Sequence, residues 1–325
     1  MREDTVVESN SRGATGGDPR WERVLIEKLA TESLKEQRRA RRWGIFFKFL
    51  LFAYLAVLLV LSYPKWLPES GKDGEGHTAL VKLDGVIVDG GKAGADQVNE
   101  GLKNAFEDEN TKGVVLSINS PGGSPVQSGR IYEEVLRLRK EHPDIPVYAV
   151  IGDICASGGY YVAAAADRIY ADRASLVGSI GVRYDGFGFV DAMGKLGIER
   201  RLLTAGENKA LLDPFLPLKP GQEVHMQGLL DEIHEQFIDR VRTGRGDRLK
   251  DEPGLFSGLV WSGERAVALG LVDELSDAQT VAREVVGAET IKDFTEKKAL
   301  LERFAERLGS AFASGLWSLG ASGLR

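Results

Sequence analysis

A lone serine, Ser157, stands in the run ICASGGYYVAAAADRIYA (residues 154–171), followed by two glycines and a stretch of small apolar residues. No histidine lies near it. If its hydroxyl is a nucleophile, a group other than imidazole must take the proton. The four histidines, His77, His142, His225 and His234, are scattered. His142 sits in the turn EHPD, and the spacing of His225 and His234 does not place them on adjacent turns of one helix. They read as surface or cap residues, and HEQFI lacks the second histidine of a zinc-protease motif. With one cysteine, Cys155, and no histidine cluster, neither a metal site nor an intramolecular disulfide is expected. Cys155 itself reads as a small buried apolar residue.

A serine without histidine can be activated by a neutral lysine. The ordinary lysine pKa of about 10.4 must then fall by roughly three units, about 4 kcal/mol, and desolvation in an apolar pocket is the usual means. Many lysines here lie in charged runs, as Lys250, Lys297 and Lys298 do. Lys209 differs. It lies in TAGENKALLDPFLP, between a glycine turn and an apolar run punctuated by prolines. A second glycine-rich stretch, SPGG (residues 120–123), admits three uses. It could be a plain turn. It could be a phosphate loop, although the Lys-Ser/Thr of a P-loop is missing. It could also be an oxyanion hole, because glycine backbones can bring their N–H groups close to a reacting carbonyl.

The elements that must position these residues alternate. ALVKLDGVIV (79–88) reads as a strand, GADQVNEGLKNAFEDE (94–109) as a helix, and KGVVLSINS (112–120) as a buried strand. SGRIYEEVLRLRKEH (128–142) is an amphipathic helix and IPVYAVIGD (145–153) another apolar strand. SGGYYVAAAA (157–166) follows as a helix and RIYA (168–171) as a short strand. Further on, residues 222–246 form a long helix, and SGERAVALGLVDEL (262–275) is a short helix turning into a strand. Apolar strands alternating with helices predict a mostly parallel sheet covered on both faces. Ligands of such sheets bind beyond the carboxyl ends of the strands, where both glycine-rich stretches fall.

Ahead of this pattern lies GIFFKFLLFAYLAVLLVLSY, residues 44–63. At about 1.5 Å per residue it reaches roughly 30 Å, the thickness of a bilayer core. Lys48 is its only charge, near enough to the end to snorkel. Trp43 and Tyr63 stand at the two interfaces. Arg38, Arg39, Arg41 and Arg42 precede it, which predicts a cytoplasmic N-terminus and an external remainder. No small-x-small cleavage site follows, so the segment reads as an uncleaved anchor. The organisation expected is a cytoplasmic segment (1–42, a disordered start and then a basic amphipathic helix), an anchor (43–63), a linker (64–77), a folded domain (78–295) and an amphipathic tail (296–325). The net charge of −6 gives no general attraction to nucleic acid.

Five stretches, SINSPGGS, CASGGYYVAAAADRIYA, GSIGV, GENKALLDPFLPL and WSGERAVALGLVDEL, occur in that order. With one N-terminal anchor they make the chain resemble the short, single-copy form of the bacterial signal peptide peptidase A family, over about residues 78–290. The resemblance implies a Clp protease/crotonase-like fold, a ββα-type superhelical α/β domain with a mostly parallel sheet, plus one N-terminal transmembrane helix. It implies a serine endopeptidase with a Ser–Lys dyad and no cofactor: Ser157 as nucleophile, Lys209 as general base and acid, and Ser179 of GSIGV orienting the lysine. The N–H groups of Gly158 and Gly123 match the oxyanion hole, with Gly122 replacing Gly123 if the register is off by one. It also implies a homo-oligomeric ring, an octamer, in which the serine of one protomer meets the lysine of its neighbour.

The expected function is hydrolysis of remnant signal peptides and other apolar peptides at the bacterial inner membrane, with the catalytic domain periplasmic. Three alternatives stand beside it. One is a peptidase that trims other membrane proteins or lipoproteins. Another is a crotonase-like enzyme acting on an acyl thioester. The third is a non-enzymatic membrane scaffold.

Overall fold

The computed structural model describes residues 19–62 and 76–296, and the chain divides into two units, Met1–Ser70 and Gly71–Arg325. In the first, helix α1 (Pro19–Ser62) is continuous. Arg38, Arg39, Arg41 and Arg42 on it are exposed. So are the apolar side chains that follow, Phe49 and Phe52 among them, and the Trp43 ring packs on Phe46 and Phe47. Among the described residues no helix is long and apolar enough to cross a membrane. The far end of the expected anchor, residues 59–63, lies outside those whose side chains are described. The first 18 residues, most of the linker and nearly all of the tail also lie outside the described residues.

The second unit is built on one eight-stranded sheet. Its strands are β1 (His77–Asp84), β2 (Thr111–Ser120), β3 (Val147–Ala156), β4 (Arg168–Ala171), β5 (Leu176–Gly178), β6 (Val260–Ser262), β7 (Glu274–Leu275) and β8 (Ile291–Asp293). The main path runs β6-β5-β3-β2-β1-β8, and β4 links β3 to β7. Among the described residues every pairing is parallel except β5 with β6. The central strands are apolar almost throughout because both of their faces are covered, as parallel strands require. A mixed α/β domain with a mostly parallel sheet is the architecture expected from the sequence.

Helices α2 (Ala95–Glu107) and α3 (Pro125–Glu141) carry the larger core. On α2 the buried residues Ala95, Val98, Leu102, Ala105 and Phe106 recur at helical spacing. On α3, Ser124 caps the N-terminus by accepting the Gln127 N–H, Pro125 takes the first turn, and Ile131, Tyr132, Val135 and Leu138 face inward. Each fully buried apolar side chain of this kind contributes on the order of 1.5–3 kcal/mol. A smaller cluster of Val115, Val150, Tyr170 and Val281 covers the other face. It is closed by a short helix (Ala278–Thr280), which continues as a π-helical stretch, Val281–Val286.

Strand β3 changes partner midway. Its first half pairs with β4 and its last three residues with β5. At the split the Ser175 hydroxyl donates to the Gly152 carbonyl at 2.6 Å, which supplies the bond the ladder no longer makes. The long helix α6 (Pro220–Arg245) buries Phe237, Ile238, Val241 and Arg245, all in its second half. Ahead of it, helix α5 (Val190–Lys195) buries no residue at all. The strand read over 79–88 ends at Asp84, because Gly85 (φ 94°) turns the chain, and Ile87 returns as an isolated bridge to Gly123.

Candidate active site

The carboxyl ends of β2, β3 and β5 meet at one place. Strand β3 ends at Ala156, and α4 (Gly158–Ala163) begins two residues later. Ser157 is the whole connection, and the turn forces it to φ 52°, ψ −123°, a left-handed conformation that costs a non-glycine residue about 1–3 kcal/mol. Its backbone is held from both sides. The Ser157 N–H donates to the Gly178 carbonyl at 2.8 Å, and its carbonyl accepts the Tyr161 N–H at 3.0 Å. The side chain is half-buried, and its hydroxyl makes no hydrogen bond among the described residues.

The loop after β2 crosses directly over this turn. A side-chain carbon built on Gly122 would fall 2.7 Å from the Gly158 nitrogen and 2.8 Å from the Ser157 Cβ. One built on Gly123 would fall 2.1 Å from the Ile87 carbonyl oxygen, and one on Gly158 would fall 3.3 Å from the Gly123 nitrogen. Glycine is required here by close approach as much as by the positive φ of Gly122 and Gly123. The Gly122 N–H is already engaged, donating to the Ser120 hydroxyl at 3.1 Å. The bridge to Ile87 uses the Gly122 carbonyl and the Ser124 N–H, leaving the Gly123 N–H outside that ladder. Gly158 is the first residue of a helix, where the N–H has no intrahelical acceptor. Among the described residues, two uncommitted donors therefore flank the Ser157 turn.

Ser179 follows β5 as Ser157 follows β3. The pairs Cys155–Val177 and Ala156–Gly178 bring the two serines to adjacent strand ends. Ser179 is also left-handed, at φ 50°, and its N–H donates to the Leu259 carbonyl at 2.7 Å. Ser157, Gly158, Gly123 and Ser179 are thus brought together. Lys209 is not joined to them within the protomer. It lies in the segment between β5 and α6, is exposed, and makes no side-chain hydrogen bond or ion pair among the described residues. That segment is tied mostly to itself: Phe189 stacks on Phe215, and Arg200 pairs with Asp213 at 2.9 Å. Many of its apolar side chains point outward, with Phe187 80% and Leu203 99% exposed.

Behind the turn, Cys155 is fully buried, and burial pushes its thiol well above the usual range, so it is chemically inert. Of the histidines, His77 is buried at the start of β1 against Phe294, and desolvation by burial lowers its pKa. His142 caps α3 and packs on Phe106. His225 is exposed on α6. Buried His77 departs from the surface reading, and so does His234, whose Nε2 lies 3.1 Å from the Ile180 carbonyl, next to Ser179. Nothing in the spacing signals that contact, because it joins residues far apart in the chain. Ser120 and Ser128 were likewise missed. Ser128 is buried with its hydroxyl against Gly158, 2.4 Å from where a Cβ would stand, and donates to the Ser124 carbonyl.

Known proteins are similar to this chain over part of its length. A Na(+)/H(+) antiporter NhaA of Brucella abortus is 41% identical over 249 residues, which cover 75% of this chain and 34% of that protein. A candidate signal peptide peptidase SppA of Enterococcus faecium is 33% identical over 219 residues, 64% of this chain and 62% of that one. A candidate protease of Synechocystis sp. is 30% identical over 217 residues, 66% of this chain and 76% of its own length. The chain thus spans about a third of the antiporter and less than two thirds of the Enterococcus relative. Residues 139–292, which carry the Ser157 turn, Ser179 and Lys209, match peptidase family S49, and with relatives of that kind aligned across most of the domain, the chain belongs to peptidase family S49.

Proposed function

We propose that this chain is a membrane-anchored serine endopeptidase working through a Ser–Lys dyad. The carrying observation is the Ser157 turn, a left-handed serine with a free hydroxyl flanked by two uncommitted backbone donors. Strain of that size persists where surrounding structure enforces it, typically to present a reactive side chain. Ser157 Oγ attacks the scissile carbonyl while a neutral lysine amine, Lys209, removes the hydroxyl proton. The Gly123 and Gly158 N–H groups stabilise the oxyanion, and Ser179 holds the amine. Gly123 fits this role better than Gly122, whose N–H is spent on Ser120. The protonated lysine then gives its proton to the leaving amine. Water, deprotonated by the same lysine, releases the acyl group from Ser157.

Lys209 is exposed in the single protomer, so a dry environment for it has to come from a second copy. The outward apolar side chains of the segment that carries it and the unburied α5 support that reading. The proposed assembly is a homo-oligomeric ring of eight, each serine facing its neighbour's lysine. The exposed apolar length of α1 after its four arginines supports an anchor over residues 44–63, with the N-terminus cytoplasmic and the peptidase domain periplasmic at a bacterial inner membrane. Apolar peptides, remnant signal peptides first among them, are the proposed substrates.

The test is mass spectrometry of the purified protein after reaction with a serine-directed phosphonate. An adduct on Ser157 that blocks peptide hydrolysis is expected. Peptide turnover that survives full labelling of Ser157 would sink the dyad, and thioester hydrolysis without labelling would favour an acyl-thioester enzyme using the glycine donors alone.

A further inference from the structure

Ser120 is fully buried, and its hydroxyl joins two turns. It donates to the Gly85 carbonyl at 2.6 Å and accepts the Gly122 N–H at 3.1 Å. The same residue abuts α4, since a side-chain carbon at Gly159 would stand 3.0 Å from the Ser120 carbonyl oxygen and 3.3 Å from its Cβ. The turn after β1, the glycine loop after β2 and the start of α4 therefore converge on one hydroxyl-bearing residue.

We propose that Ser120 is a positioning residue for the oxyanion hole, a role that rests on the reading of Ser157, Gly123 and Gly158 given above. The loop has two consecutive peptides to fix. The Gly122–Gly123 peptide is aimed by the Ile87 N–H, which donates to the Gly122 carbonyl at 2.9 Å. In a trans peptide the N–H points opposite to the C=O, so the Gly123 N–H faces away from Ile87. The preceding Pro121–Gly122 peptide is aimed by Ser120, which takes its N–H. Gly122 and Gly123, at φ 97° and 155°, have the widest backbone freedom any residue can have. Without the hydroxyl, rotation about Gly122 would carry the Gly123 N–H off its line. Because the Ser120 proton is committed to Gly85, a lone pair faces Gly122, and the direction of the second bond is fixed as well. Ser120 touches no reacting atom and acts only through the glycine loop.

The experiment uses the full chain in detergent, a fluorogenic peptide, and a peptide boronate whose tetrahedral adduct puts an oxygen where the oxyanion forms. Ser120→Ala should lower kcat by about 10- to 100-fold with KM within about twofold of the parent. Boronate affinity should fall by about the same factor as kcat/KM. Ser120→Thr, which keeps the hydroxyl, should return to within about fivefold of the parent. A Ser120→Ala enzyme with an unchanged kcat, a loss confined to KM, or an unaltered boronate affinity overturns the proposal. Should that variant not assemble, Ser120→Cys is read in its place, with a kcat loss of at least about fivefold expected and an unchanged kcat overturning the proposal. Failure of the underlying reading has a separate signature, turnover that survives Ser157→Ala.

Discussion

Ser157 donates its N–H to the carbonyl of Gly178, the residue just before Ser179, at 2.8 Å, and both serines are held left-handed at the ends of neighbouring parallel strands. This one bond sets the spacing between the proposed nucleophile and the hydroxyl that would orient its base. It also divides stability from function at position 157. Ser157→Ala should abolish peptide hydrolysis, a loss of about 10³-fold or more. Ser157→Gly should be equally inactive yet more stable by about 1 kcal/mol, since glycine adopts this conformation without strain. For a domain of this size the melting temperature should rise by about 2–4 °C. A glycine variant that melts below the parent would show that the turn stores no strain.

Gly158 tests the packing beneath the turn. A Cβ there meets the Ser128 hydroxyl at 2.4 Å, inside the buried start of α3. Gly158→Ala should destabilise the domain by about 1–3 kcal/mol, the usual range for overpacking. Adding Ser128→Ala should recover part of that loss, because the colliding atom is gone, and a double-mutant cycle by chemical denaturation measures the coupling. Strictly additive losses would place the strain elsewhere.

Much of the sheet was legible because its strands announce themselves. The apolar runs ending in SPGG and CASGG are β2 and β3, and both glycine stretches lie at carboxyl ends, as the parallel alternation demands. What escaped depends on contacts between distant residues. Ile87 leaves β1 at a glycine turn only because Gly123 is there to receive it. The strand β8 exists because Thr78, Ala79 and Leu80 offer it an edge more than 200 residues away in sequence. The Ser120 bridge and the contact of His234 with Ile180 are of the same kind. No local periodicity encodes them. Exposure of Lys209 was equally unreadable, because its apolar flanks suggest burial whether the cover is the same chain or another.

Arg245 is another residue whose role only the fold discloses. Its side chain is fully buried, donating to the Gly270 carbonyl and to Asp273, each at 2.8 Å, while Asp273 also accepts the Ile169 N–H and pairs with Arg248. Burial pushes the Asp273 carboxyl up, but the Arg245 bond, the Ile169 N–H and the two guanidinium charges outweigh it and hold the carboxyl below its ordinary range. A depressed folded-state pKa stabilises the fold above the unfolded value of about 3.9 and loses that contribution as pH falls through the folded value. Asp273→Asn should cost about 3–5 kcal/mol at neutral pH, because it leaves a buried guanidinium charge uncompensated. Its stability should also fall less steeply than the parent's below about pH 4. Parallel curves for parent and variant across that range would mean Asp273 carries no folding-linked proton.

The exposed apolar side chains of the segment that carries Lys209 make the last test. In the protomer α5 buries nothing, and Phe187 and Leu203 stand almost wholly in solvent, an arrangement that leaves large apolar area uncovered unless copies associate. Phe187→Asp or Leu203→Asp places a charge on that surface without touching the sheet core. Each should shift the detergent-solubilised protein from an assembly to smaller species in analytical ultracentrifugation and reduce peptide hydrolysis by about 10²-fold or more, while the unfolding free energy of the domain changes by less than about 1 kcal/mol. Mixing inactive Ser157→Ala with inactive Lys209→Ala probes the same surface from the chemical side. If each site takes its serine from one copy and its lysine from the next, mixed assemblies contain some intact pairs and regain activity. The regained activity should vanish when either protein also carries Leu203→Asp. A dispersed but fully active Leu203→Asp enzyme would require the amine to reach the serine within one chain, against its exposed position in the protomer.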